Sequence, residues 1–245
     1  MIKTDEEKLN PFGACPIPIF DHPQIVLGHG SGGKLSAELI DKVFITTTGI
    51  GLIERPTQLS ADRARPGDKI LLSGTIGDHG ITILSQREGL EFESALQSDC
   101  AALHTMIRAM LDEADAAGNL LGMRVMRDPT RGGVATVLNE IAGRSGVGMV
   151  LRESAIPVRD EVRGACEMLG LDPLYVANEG KLIAVVAADI ADRVLAAMQR
   201  HSLGANACII GEVTEQPEGM VLMKTGVGGT RVVDVLFGEQ LPRIC

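Results

Sequence analysis

An α/β fold is predicted for this chain, and three features of the sequence predict it. Short apolar, β-branched runs alternate with longer stretches whose apolar residues recur at helical spacing. One run, KLIAVVAA at 181–188, is too uniformly apolar to have a wet face, as a strand covered on both sides requires. Aromatics make up only 2% of the residues, with no Trp and one Tyr, so the core must be built from Val, Ile, Leu, Met and Ala. At 245 residues and 45% hydrophobic, the chain has the material for one large domain or two small ones.

The elements follow in order. Residues 1–23 carry four prolines and no period, and read as a loose N-terminal arm. QIVL is a short strand candidate, and LSAELIDKVF puts Leu35, Leu39, Ile40 and Val43 on one helical face. FITTTGIGLI is β-branched and reads as a strand. The apolar pattern breaks over Glu54–Pro66, the best internal boundary. RARPGDKILLSG is a turn feeding a buried strand, and DHGITILSQREG a short helix ended by Gly89.

Residues 94–117 predict a long helix. Its stripe is Leu96, Cys100, Leu103, Ile107, Met110, Leu111 and Ala114, with Gly118 at the C-cap. MRVMR is a strand, VATVLNEIAGRSG a helix with Val134, Val137, Leu138 and Ile141 inward, and VGMVLRES a strand. RDEVRGACEMLG is a helix; after the KLIAVVAA strand, DIADRVLAAMQRHS is a helix with Asp189 as N-cap. NACIIGEVTE, EGMVLMKT and TRVVDVL finish as strands.

Charge and cysteine usage exclude several classes. The formal net charge of -9 argues against general binding to nucleic acid, which leans on Lys and Arg contacts to phosphate. Five cysteines without a CxxC pair form neither a disulfide framework nor a zinc spacing. There is no run of ~20 apolar residues and no signal-peptide pattern. No membrane association is expected, and a cytoplasmic location is. Cys100, Cys166 and Cys208 fall in apolar patterns and read as core residues, and in a reducing cytoplasm Cys245 is expected to be a free thiol.

Five stretches can carry chemistry. GHGSGGK at 28–34 precedes a helix start; Gly30, Ser31, Gly32, Gly33 and Lys34 could offer backbone N–H groups, a hydroxyl and a cation to a phosphate. The spacing is not that of a Walker A loop, and a plain turn is the competing reading. In GTIGDHG, Asp78 and His79 lie between a buried strand and a helix, the usual place for a site in an α/β sheet; Asp78 as a helix cap and His79 as a surface residue is the other reading. RDPTRGGV places Asp128, Thr130 and Arg131 beside Gly132 and Gly133 just before a helix. An Arg fork can grip phosphate there, and the alternative is a Thr-capped helix. YVANEGKL puts Asn178 and Glu179 ahead of a core strand; a partly desolvated carboxylate there can act as a base, and a solvated turn is the alternative. Finally, Cys245 follows Pro242 and Arg243, and a flexible tail can carry a thiol to a distant site.

Taken together and in order, HGSGGK, SGTIGDHG, RDPTRGG, NEGK and a terminal PRIC resemble the HypE family of hydrogenase maturation factors. That family lies in the superfamily of aminoimidazole ribonucleotide synthetases and selenophosphate synthetase. The resemblance implies mixed sheets packed with helices in a PurM-like C-terminal domain. It implies an N-terminal remnant at 24–59, the C-terminal domain at 60–236, and a tail at 237–245. It also implies ATP and Mg²⁺ as cofactors. Cys245 would receive a carbamoyl group from the carbamoyltransferase HypF, and ATP-driven dehydration would turn it into a thiocyanate. The HypC–HypD complex would then take the cyanide to the iron of a [NiFe] hydrogenase. Glu179 is the implied base; Gly30, Ser31, Gly32, Gly33, Lys34, Asp78, His79, Asp128, Thr130, Arg131, Gly132, Gly133 and Asn178 would line the ATP and phosphate site, with Lys34, Arg131 and Gly30–Gly33 facing the phosphate charge.

One departure stands out. Family members carry a segment between the first helix and the ITTTGIG strand, with acidic residues for Mg²⁺ and ATP; here LIDKVF runs straight into it. Two outcomes follow: an active dehydratase, homodimeric if that domain is present, or an impaired remnant that accepts the carbamoyl group without dehydrating it.

Overall fold

The computed structural model describes residues 52–53, 55–88 and 96–235. The expected strand QIVL, the helix after it, the N-terminal arm, the tail and nearly all of FITTTGIGLI lie outside them. Its last two residues, Leu52 and Ile53, carry no strand and are exposed. A compact unit begins at Ile53.

Within that unit, the described residues form one sheet of seven strands. They are β1 (Lys69–Leu72), β2 (Met123–Arg127), β3 (Gly148–Arg152), β4 (Ile183–Val186), β5 (Cys208–Thr214), β6 (Val221–Lys224) and β7 (Thr230–Val233). Their order is β2-β4-β1-β5-β3-β6-β7. Every neighbouring pair is antiparallel except β3 with β6. The fold is therefore α/β with a mixed sheet.

Among the described residues five α-helices accompany the sheet: α1 (Asp78–Glu88), α2 (His104–Ala116), α3 (Gly133–Ser145), α4 (Asp160–Leu169) and α5 (Ala188–Gln199). Strand alternation sends Ile70, Leu72, Ile183 and Val185 into one cluster with Val134, Leu138 and Ile141 of α3. Leu71, Ala184 and Val186 enter another with Met106 and Met110 of α2 and Val194 and Met198 of α5. Both faces are thus covered, and every residue of β4 is buried. A smaller cluster joins Ile81 of α1 to Val162 and Cys166 of α4 and to Val176.

Three expectations are corrected. The helix expected over 94–117 begins only at His104. Leu96 to Leu103 continue the apolar spacing, but residues 96–103 form neither helix nor strand, and Cys100 is exposed rather than core. Tertiary contact overrides the period: the backbone oxygen of Asp99 sits where a side chain on Gly180 would stand, 1.6 Å from an added Cβ. The far end of α2 does close at glycine. Gly118 takes φ 72°, its N–H reaches the carbonyl of Asp115, and that of Asn119 reaches Ala114. Asp189 is not the cap of α5. Ala187 holds that position without a side-chain bond, while Asp189 sits in the first turn and accepts from Asn119 Nδ2 at 2.8 Å.

Candidate functional site

The sheet register brings three distant motifs to one edge. Ile183, the first residue of β4, pairs with Leu72 at the end of β1 on one side and Arg127 at the end of β2 on the other. The loops that leave β1 and β2 therefore meet the turn that enters β4. Ser73 continues the match: its N–H donates to the Leu182 carbonyl at 3.0 Å, and its hydroxyl accepts the Leu182 N–H at 2.9 Å.

Asn178 ties the three loops together. Its side chain is fully buried. Oδ1 accepts the N–H of Gly77 at 2.8 Å, and Nδ2 donates to the carbonyls of Pro129 at 3.1 Å and Val176 at 2.9 Å. Both of its donor hydrogens are spent inside the protein, so Asn178 holds the site's frame and has no donor left for a phosphate. That is a different task from the phosphate contact expected of it.

Asp78 opens α1 and His79 follows; both are buried, which removes the surface reading of His79. Asp78 Oδ2 accepts from the Thr75 hydroxyl, and Oδ1 faces Arg159 Nε at 3.4 Å with no hydrogen bond. His79 Nδ1 lies 2.8 Å from Ser98 Oγ and 3.6 Å from Cys100 Sγ.

After β2, Asp128 and Arg131 are exposed and Thr130 is half-buried, with its hydroxyl 3.5 Å from Asp128 Oδ2. The cap of α3 is Gly132, not Thr130. The glycine pair has an internal reason. Gly132 and Gly133 take φ 70° and 63°, and a Cβ on Gly133 would stand 2.4 Å from the Leu174 carbonyl oxygen. Close packing of α3 on the 174–176 backbone requires Gly133 without any ligand, while a Cβ on Gly132 would meet the Thr136 side chain.

Glu179 sits on the turn into β4. Its N–H donates to Asp99 Oδ1 at 3.1 Å, and its Oε1 is buried with no hydrogen-bond partner among the described residues. Lys181 Nζ pairs with Asp99 Oδ2 at 3.5 Å; the two side chains are 13% and 3% exposed. Next to this turn lies a cavity of about 560 Å³ whose lining includes Thr75, Asp78, Asp99, Cys100, Arg159 and Lys181. It presents two carboxylates, two cations and hydroxyls, a setting for a polar ligand. Sequence reading did not single out Asp99, Arg159 or Lys181. Lys181 had a signal in its place two residues after Glu179, whereas Asp99 and Arg159 had none.

Gly30, Ser31, Gly32, Gly33, Lys34 and Cys245 lie outside the described residues. Among the described cysteines, burial pushes the thiols of Cys166 and Cys208 up to about 11, so neither is ionised near neutrality. Among the described residues no group of three or more His, Cys, Asp or Glu could hold a metal ion, and no helix is long and apolar enough to cross a membrane.

The pattern of the family described as AIR synthase related protein, C-terminal domain, matches residues 65–224. A carbamoyl dehydratase HypE of Azotobacter vinelandii is 55% identical over 229 residues, which cover 94% of this chain and 63% of the relative. A crystal structure of the hydrogenase maturation protein HypE in complex with ATP is 47% identical with a TM-score of 0.69, over 76% of this chain and 55% of that one. A HypE–HypF complex gives 43% identity and a TM-score of 0.67, over 73% and 56%. The chain thus spans less than two thirds of the length of these relatives.

Proposed function

We propose, from the premise that this chain belongs to the AIR synthase related family through its C-terminal domain, that it serves [NiFe] hydrogenase maturation as an ATP-dependent carbamoyl dehydratase. Its substrate is an S-carbamoyl group carried on Cys245. The similarity to proteins named HypE supports the reading. The observation that carries it is Glu179 Oε1, a buried carboxylate oxygen with no hydrogen-bond partner among the described residues. Such an acceptor is costly to leave unmade, and a ligand N–H would satisfy it.

The chemistry needs that acceptor. The carbamoyl –NH₂ must lose both protons while the carbon–oxygen bond breaks, so that C–N becomes a triple bond. ATP supplies the phosphoryl group that makes the amide oxygen a leaving group; ADP and inorganic phosphate are released. Glu179 takes one N–H proton and the departing phosphate carries away the other, while Asn178 and Asp99 fix the turn on which Glu179 sits. Tethering to Cys245 gives the group a high effective concentration. Thr130 and Arg131 at the start of α3 would hold the phosphates together with Gly30–Lys34, and Asp128 would fix Arg131 or bind a metal ion. Mg²⁺ would need ligands beyond the described residues, and no step here is assigned to it.

HypF is the partner that would load Cys245, and the HypC–HypD complex the one that would unload it. A second reading rests on the direct junction of LIDKVF with ITTTGIG: the chain docks the carbamoyltransferase and accepts its group without dehydrating it. The product separates the two. With HypF, carbamoyl phosphate and ATP, the C-terminal peptide should gain the mass of a carbamoyl group and then lose that of one water. A carbamoyl adduct that ATP never converts selects the second reading; no adduct at all, with a working HypF, defeats both.

A further inference from the structure

We propose that Asp99 is a positioning residue for Glu179, acting through the turn that carries the base; this rests on Glu179 being the proton acceptor proposed above. The two are eighty residues apart in sequence, and three contacts join Asp99 to the turn that carries Glu179. Asp99 Oδ1 accepts the Glu179 N–H at 3.1 Å. Asp99 Oδ2 pairs with Lys181 Nζ at 3.5 Å, on the other side of Gly180. Between these, the Asp99 backbone oxygen lies against Gly180 so closely that a Cβ there would stand 1.6 Å from it and 2.8 Å from the Ala101 N.

One aspartate therefore grips the Glu179–Gly180–Lys181 turn at each of its residues. The Asp99 side chain is 3% exposed, so the grip is shielded from water, which strengthens the charged contacts. The arrangement also occupies Lys181. Without Asp99, its ammonium would be free to turn toward the Glu179 carboxylate, the group that must stay available for a proton. Asp99 thus fixes the backbone beneath the base and draws away a competing cation. It also accounts for the irregular path of residues 96–103 where the apolar spacing favours helix. A helix there would remove Asp99 from the turn.

The test measures carbamoyl loading of Cys245 and its dehydration separately, by peptide mass, in wild type, Asp99→Ala, Asp99→Asn and Gly180→Ala. It also measures hydrogen exchange at the Glu179 amide. Asp99→Ala should load normally, dehydrate about 100-fold more slowly, and lose protection at that amide. Asp99→Asn keeps an acceptor for the amide and should recover most of the rate; a general loss of structure would lower loading too. Gly180→Ala displaces the Asp99 backbone while leaving its carboxylate, and decides the matter if Asp99→Ala does not fold: it should load normally and dehydrate slowly. Wild-type dehydration in Asp99→Ala or Gly180→Ala, or unchanged protection of the Glu179 amide in Asp99→Ala, overturns the proposal. If wild type itself never dehydrates, the role of Glu179 falls, and the exchange measurement still decides whether Asp99 holds the turn.

Discussion

Asn178 and Pro129 are joined twice: the backbone N–H and the Nδ2 of Asn178 both donate to the Pro129 carbonyl oxygen, each at 3.1 Å. That double bond of donors locks the turn entering β4 to the loop leaving β2. The third motif is fastened by the same side chain through the Gly77 N–H.

Asn178→Ala should therefore cost more than a surface change. It strips the buried Gly77 N–H of its acceptor and takes side-chain donors from two carbonyls, at about 1–3 kcal/mol for each group left unsatisfied. Thermal unfolding should show a Tm several degrees lower. A Tm equal to wild type would contradict the role of Asn178 as the frame of the site.

Gly133→Ala separates packing from ligand approach. Its Cβ would stand 2.4 Å from the Leu174 oxygen at a backbone φ of +63°. The variant should be destabilised by roughly 2 kcal/mol or more in the absence of nucleotide, from strain and overpacking. Unchanged stability without ATP, together with lost nucleotide binding, would instead mean that the glycine serves the ligand.

Thiol reactivity should divide by burial. With thiols near 11, Cys166 and Cys208 are ionised at about one part in a thousand at pH 8, and iodoacetamide should leave them unmodified while Cys100 reacts. Their labelling should rise only as pH climbs toward 11, because desolvation disfavours the thiolate. Peptide mapping keeps Cys245 apart from the rest. Labelling of Cys166 as fast as Cys100 at pH 8 would contradict its burial.

Much of the fold was legible because periodicity and covering agree. Ile183–Val186 read as a buried strand and is one; Val134, Val137, Leu138 and Ile141 read as a helix face and form it. The reading failed where a long-range contact wins. Leu96, Cys100 and Leu103 keep helical spacing, yet Asp99 lies against Gly180, eighty-one residues away, and no local signal encodes that. The motifs around Asp78, Asp128 and Glu179 were visible as local strings. What joins them is the pairing of Ile183 with both Leu72 and Arg127, a property of the sheet. Arg159 comes from yet another segment and meets Asp78 only in the folded chain.

The proton acceptor is the centre of the account, and one comparison tests it most directly. Wild type and Glu179→Gln are loaded by HypF, given ATP, and the mass of the Cys245 peptide is followed in a single turnover. The account predicts that both carry the carbamoyl group, that wild type loses one water, and that the Gln variant does so about 10²- to 10⁴-fold more slowly. Conversion at the wild-type rate in Glu179→Gln would contradict it.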